Sequence, residues 1–187
     1  MSRSDVIPYR QYGKERDRIT KKIISVENSR RISSSTFSYL FENRETVLNQ
    51  VNEMVYIESI EDESEIEDLI DVYSEQLPDD RTLSVTMFIE ITDEKVLKES
   101  MQKLSGIEHS IYLIFDNSEM KAIPETGRST TNLESTLQYL KFRFSNSDLL
   151  KFKASTNAFI ECRKPGYQEV ARIPRELLES LKEELAA

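Results

Sequence analysis

Arg44 is the first residue that suggests chemistry, because its guanidinium stands where a helix would carry an apolar side chain. If residues 36–60 form one helix, with ~100° between successive residues, the apolar side chains fall in one arc with Arg44 near its middle. The arc contains Phe37, Leu40, Phe41, Val47, Leu48, Val51, Met54 and Val55. Glu42, Asn49 and Glu53 fall on the opposite side, which predicts that they face water. Because a buried charge needs a partner, Arg44 either meets a carboxylate or extends its head group to solvent.

Two glutamates of the sheet region are candidate partners for Arg44. Glu90 lies near the end of a predicted strand, where an outward carboxylate is the simpler interpretation. Glu108 precedes the only histidine, His109, at a predicted helix-to-strand turn, although a lone histidine is more often a surface residue. A polar node between the second helix and the sheet would suit a carboxylate or phosphate ligand. The predicted node consists of Arg44, Asn43, Gln50, Glu90, Glu108 and His109.

Motifs for catalysis or cofactor binding are missing from the sequence. It contains no phosphate-binding loop, no dinucleotide fingerprint, no zinc-protease helix and no hydrolase elbow. The single cysteine excludes an intramolecular disulfide, and Cys162 faces inward on a predicted strand, where an inert core thiol is expected. A carboxylate-bridged metal centre would need more histidine than the chain has. We therefore predict no cofactor and no metal, and the sequence leaves open whether the protein is an enzyme.

The charge of the chain limits the partners that it can have. A formal net charge of −9 argues against nucleic-acid binding, which depends on neutralising phosphates. No run of residues approaches the ~20 apolar residues of a membrane span, and the N-terminus lacks the apolar stretch of a signal peptide. Together with the single cysteine, these features predict a cytoplasmic protein.

Charge is distributed unevenly along the chain. Residues 10–31 carry eight basic and three acidic side chains, whereas residues 58–80 carry eleven acidic side chains and no Lys or Arg. The simpler interpretation is two solvated helix faces. The alternatives are an acidic surface at 58–80 for a basic protein partner, or a homo-oligomer in which the two opposite patches meet.

Helical periodicity predicts three N-terminal helices, at about 9–30, 36–60 and 61–78. A fourth helix is predicted at about 93–104 with Gly106 as its stop, and a short C-terminal helix follows Pro174. Six strands are predicted from alternation or apolar runs, with an exposed loop at 124–132. The strands are 82–91, 110–115, 120–123, 133–144, 157–162 and 167–173.

These elements predict an α+β fold, because strands joined mostly by hairpins form an antiparallel sheet that needs a helical layer. We predict a single domain over residues 1–187. Its helical part, 1–78, covers a mainly antiparallel sheet of about six strands in the sheet-rich part, 79–187, with the short helix at the end.

Several stretches also resemble a prokaryotic family known only as a domain of unknown function. In order along the chain, they are FENRETVLNQVNEM, LSVTMFIEI, GIEHSIYL, LQYLKFRF and YQEVARIPRELLESL. Genes of that family often lie beside rubrerythrin and iron–sulfur oxidoreductase genes, so the resemblance implies these proteins as partners. One departure is IECRKPGY, where relatives are expected to carry an Asp-His-Pro-like turn.

The resemblance and the missing motifs together favour one function. We expect a non-catalytic accessory or interaction protein of a cytoplasmic redox or peroxide-defence system. The alternative is a small-ligand-binding protein or enzyme whose site is the Arg44 node.

Overall fold

Residues 1–125 and 136–185 are described by a computed structural model. The loop predicted at 124–132 therefore lies outside the described residues, apart from its first two positions. The described chain contains helices together with two sheets of antiparallel strands, which confirms the α+β class. None of the described helices is both long enough and apolar enough to cross a membrane.

The chain divides into two compact units, and it passes between them more than once. The first unit consists of Met1–Arg30 and Glu42–Pro78, and the second of Arg31–Phe41 and Asp79–Ala187. One boundary between the units follows residue 78, and residues 31–41 belong to the unit that contains the sheets.

The first unit contains three helices. They are α1 (Tyr9–Arg30), α2 (Arg44–Ile57) and α3 (Glu63–Ser74). Asn43 and Asp62 cap α2 and α3 by accepting hydrogen bonds from backbone N–H groups of the first turn. Apolar side chains from α2 and α3 pack together with one residue that precedes α1. This small core contains Val6, Val51, Val55, Ile66 and Ile70.

The described part of the second unit contains nine strands and three helices. The strands are β1 (Arg31–Ser33), β2 (Phe37–Phe41), β3 (Thr82–Ile89), β4 (Ile111–Phe115), β5 (Ser118–Lys121), β6 (Ile123–Pro124), β7 (Leu137–Arg143), β8 (Ala158–Lys164) and β9 (Tyr167–Ile173). The helices are α4 (Glu94–Leu104), α5 (Asn146–Ala154) and α6 (Arg175–Glu184). Gly106, with φ of 69°, follows α4 as predicted, whereas α5 was not predicted.

The strands form two antiparallel sheets rather than the single sheet that was predicted. One has five strands in the order β1-β2-β3-β7-β6, and the other has four in the order β5-β4-β8-β9. Both sheets contribute side chains to one hydrophobic core, with Met87 and Phe142 from the first and Leu113 and Ile160 from the second. Leu178 and other residues of α6 complete this core. The two sheets are therefore held together by shared burial of apolar surface.

The second predicted helix was wrong at its beginning. Residues 37–41 form β2, and α2 begins only at Arg44. All five residues of β2 are buried, because the strand lies between β1 and β3 and is covered on both faces. A strand of this kind has a continuous apolar run instead of alternation, and short apolar runs do not distinguish strand from helix. The helical arc around Arg44 therefore does not exist.

Candidate functional site

Arg44 is the first residue of α2, and its partner is neither Glu90 nor Glu108. Its Nη2 atom lies 2.7 Å from Oδ1 of Asp5, and the Arg44 side chain is 59% exposed. This position follows from the corrected start of α2, since a residue at the end of a helix borders solvent and the preceding segment. The ion pair that Arg44 forms is thus within the first unit, whereas the predicted pair was with a glutamate of the sheet.

The ion pair predicts a specific loss of stability in acid. The Arg44 hydrogen bond, assisted by hydrogen bonds from Ser2, lowers the pKa of Asp5 to about 2. A carboxylate whose folded pKa is depressed stabilises the protein above its ordinary pKa of about 3.9, and this contribution is lost as the pH falls towards the folded value. We expect the Asp5→Asn variant to lose this part of the pH dependence. An NMR titration of Asp5 checks the pKa directly, and an ordinary value would contradict the ion pair.

Asn43 and Gln50 lie near a buried carboxylate that the sequence did not indicate. Glu42 is 3% exposed, and it accepts hydrogen bonds from the Thr46 hydroxyl and from Gln50 Nε2, the latter at 3.2 Å. Arg30, itself 6% exposed, donates from Nη2 to the carbonyl oxygen of Glu42 at 3.3 Å. We call Arg30, Glu42, Thr46 and Gln50 the Glu42 cluster. The prediction that Glu42 faces water was wrong, because it rested on the phase of a helix that begins two residues later.

Asn49 and Glu53 were also predicted to face water, but they join α2 to α1. The hydroxyl of Tyr12, which is fully buried, donates to Asn49 Oδ1 at 3.1 Å and to Glu53 Oε1 at 2.7 Å. Arg16 binds both carboxylate oxygens of Glu53. Burial raises the pKa of Tyr12, so the phenol stays protonated and keeps donating. These contacts are satisfied inside the helix pair, which indicates a structural role.

The remaining residues of the predicted node lie in two separate places of the second unit. Glu90 accepts a hydrogen bond from the Ser38 hydroxyl, and its Oε1 is 3.9 Å from Nη1 of Arg31. Its side chain is half exposed, as expected for an outward carboxylate at the end of a strand. His109 Nε2 is 3.5 Å from Oε1 of Glu108, and the histidine is largely exposed. Of the six predicted residues, Asn43, Arg44 and Gln50 belong to the first unit, and Glu90, Glu108 and His109 belong to the second.

The acidic stretch remains as an extended surface of the first unit. All nine carboxylates between residues 58 and 75 are exposed, and we call them the acidic surface. It consists of Glu58, Glu61, Asp62, Glu63, Glu65, Glu67, Asp68, Asp71 and Glu75. Within the described residues only Glu61 and Glu63 form ion pairs, with Arg10 and Arg3 respectively. No group of three or more metal-ligating side chains that could hold an ion is found in the part of the chain that the structure describes.

Comparison with known proteins identifies a family and a similar solved structure. Residues 1–185 match the model of a family described as "Protein of unknown function (DUF3501)". A crystal structure of a novel protein of unknown function from Burkholderia pseudomallei K96243 is 29% identical in sequence, with a TM-score of 0.91. The alignment covers 99% of this chain and 98% of that chain. No curated protein matches.

Proposed function

Because the chain belongs to the DUF3501 family, whose description gives no activity, we propose a function from its surface: a non-catalytic interaction protein. The acidic surface binds a basic region of a protein partner. The observation that carries this proposal is the exposure of all nine carboxylates on and beside α3. Complementary charge accelerates association and selects the partner.

The packing of α3 explains why its charges are available. The helix buries Ile66 and Ile70 against the first unit, so the carboxylates on its other sides extend into water. Asp68, Asp71 and Glu75 make no ion pair with any described residue. Val72 lies among them with 45% of its surface exposed, which offers an apolar contact within the charged surface. A basic partner would therefore gain both charge pairs and apolar burial.

The partner that we propose is a cytoplasmic redox protein. The resemblance of the sequence motifs to a family encoded beside rubrerythrin and iron–sulfur oxidoreductase genes supports these two proteins as the first to test. The protein would then act as an accessory in peroxide defence or electron transfer, and it would contribute docking rather than chemistry.

Charge reversal of the acidic surface tests the proposal. We expect the triple variant Asp68→Lys, Asp71→Lys, Glu75→Lys to bind purified rubrerythrin or the iron–sulfur oxidoreductase at least about 30-fold more weakly, since three exposed charge pairs contribute roughly 0.7 kcal/mol each. These positions lie towards the C-terminus of α3, where lysine suits the helix dipole, so folding should be preserved. Isothermal titration calorimetry at low and high salt measures the effect.

The matched control is the triple variant Glu99→Lys, Glu176→Lys, Glu183→Lys, which makes the same charge change on exposed residues of α4 and α6. It should retain the affinity of the wild type. Equal weakening by both triples would show that only net charge matters, and the proposed surface would be rejected. Absence of binding by either redox protein would reject the proposed partners.

A further inference from the structure

A cavity of about 580 Å³ lies at one end of the five-stranded sheet, open to solvent. Its volume is in the range of pockets that hold small molecules. The lining comes from the turn before β3 and from the end of β7, which are adjacent because Thr82 pairs with Arg143. The lining residues are Asp79, Asp80, Arg81, Thr82, Arg143 and Phe144. Two carboxylates and two guanidinium groups therefore meet around one opening.

One side of the cavity offers donors for an anionic group. The Arg143 side chain makes no hydrogen bond or ion pair with any described residue, so its planar fork is available for a carboxylate. Its cross-strand partner Thr82 is 2% exposed, and the Thr82 hydroxyl lies close enough to Asp79 to lower the pKa of that carboxylate. The next cross-strand pair on the same face, Ser84 with Lys141, also combines a buried hydroxyl, which has no hydrogen bond within the described ranges, with a cation.

The other side of the cavity offers acceptors for a cationic group. Asp80 is exposed and has no ion pair among the described residues. Asp79 Oδ1 accepts the N–H of Arg81 at 2.8 Å. Partial burial acts to raise the pKa of Asp79, but this hydrogen bond, the nearby Thr82 hydroxyl and the charge of Arg143 hold it below its ordinary value. Asp79 is therefore ionised at neutral pH.

The other guanidinium of the cavity, that of Arg81, already has a hydrogen-bond partner. Arg81 donates from Nη1 to Oδ1 of Asn146, the first residue of α5. This contact fixes Arg81 as part of the wall and leaves Arg143 as the cation that a ligand would meet. Phe144 is 2% exposed, and its N–H donates to the Arg81 carbonyl at 2.8 Å, which joins the end of β7 to the turn before β3.

We propose that this cavity binds a small zwitterion, an amino acid or a short peptide. Its carboxylate is held by Arg143, and its ammonium by Asp80 and Asp79. A ligand with only one charge would leave one side of the cavity without its counter-charge, since the lining carries two charges of each sign. This site is separate from the acidic surface, and neither proposal depends on the other.

Titration with a matched set of small molecules tests the proposal. The probes are L-alanine, L-alanyl-L-alanine, its N-acetyl derivative without the ammonium, and its amide without the carboxylate. We expect saturable NMR shifts of backbone amides at 79–84 and 143–144 with alanine or dialanine, and roughly tenfold weaker binding of both derivatives. Tighter binding of alanine would identify a free amino acid as the ligand, and tighter binding of dialanine a peptide.

Variants assign the two charges of the ligand to the two sides of the cavity. Arg143→Ala should abolish the preference for dialanine over its amide, which lacks the carboxylate. Asp80→Asn should abolish the preference for dialanine over its N-acetyl derivative, which lacks the ammonium. The control Arg175→Ala removes another exposed arginine of the same unit and should change nothing. The proposal is overturned if no probe binds saturably up to ~10 mM, or if Arg143→Ala behaves like the control. Binding of inorganic phosphate without binding of either zwitterion would also overturn it.

Discussion

Replacing Glu42 by alanine is expected to lower the free energy of unfolding by about 3 kcal/mol, the largest effect that we predict. Glu42 is 3% exposed and accepts side-chain hydrogen bonds from Thr46 and Gln50. Its removal takes an acceptor away from the buried Thr46 hydroxyl and from the half-buried Gln50, and it leaves Arg30 buried beside them. Urea unfolding followed by far-UV circular dichroism measures the loss.

Two further variants show how much of this loss is due to the carboxylate itself and how much to its buried position. Glu42→Gln retains one acceptor oxygen and should cost clearly less than Glu42→Ala. Glu45→Ala removes a half-exposed carboxylate three positions along the chain, whose ion pair among the described residues is with Lys22, and should cost less than ~1 kcal/mol. If Glu42→Ala were as mild as Glu45→Ala, the Glu42 cluster would have no importance for stability.

Replacing Glu169 by alanine is expected to cost about 2 kcal/mol. Glu169 lies on β9 of the four-stranded sheet, but its carboxylate accepts hydrogen bonds from the turn between β1 and β2 of the other sheet. Ser34 Oγ donates at 2.7 Å and the backbone N–H of Thr36 at 2.8 Å, and the Thr36 hydroxyl also donates. The variant would leave this turn without its acceptor, so hydrogen exchange at residues 34–36 should rise together with the loss of stability.

The same contacts predict the pH at which Glu169 matters. Partial burial acts to raise its pKa, but the hydrogen bonds from Thr36 and Ser34 hold it below the ordinary value. The stabilisation is therefore present above the ordinary glutamate pKa and is lost as the pH falls through the folded one. The control Gln168→Ala, on the exposed neighbouring residue, should alter neither stability nor hydrogen exchange of the turn. A similar effect of both variants would contradict a specific role for Glu169.

The buried side of a helix or strand that is covered on one face only could be predicted from the sequence. Ile66 and Ile70 identify the buried side of α3, and Leu140 and Phe142 identify the buried side of β7. The pattern failed at β2, where both faces are covered and Phe37, Leu40 and Phe41 happen to have helical spacing. Burial on both faces is decided by distant strands, which local periodicity does not report.

The buried polar groups were harder to predict than the fold. A wrong start for α2 assigned Glu42 to water and Arg44 to the core, although Asn43 and Thr46 have the spacing of a helix cap. Reading Asn43 as the cap would have placed α2 correctly. No pattern of neighbouring residues in the sequence could have indicated the cavity at Arg143, because Asp79 and Arg143 are brought together only by the pairing of β3 with β7.

The three crossings of the chain between its units determine which fragments of this protein can exist by themselves. A polypeptide that starts at Asp79 contains every helix and strand of the second unit except β1 and β2. In such a fragment β3, which pairs with β2 on one side and β7 on the other, would expose unpaired backbone groups along residues 85–89, the five residues that pair with β2. Exposed edges of this length recruit further strands and aggregate. An excised second unit would therefore need residues 31–41 joined to it by a new linker.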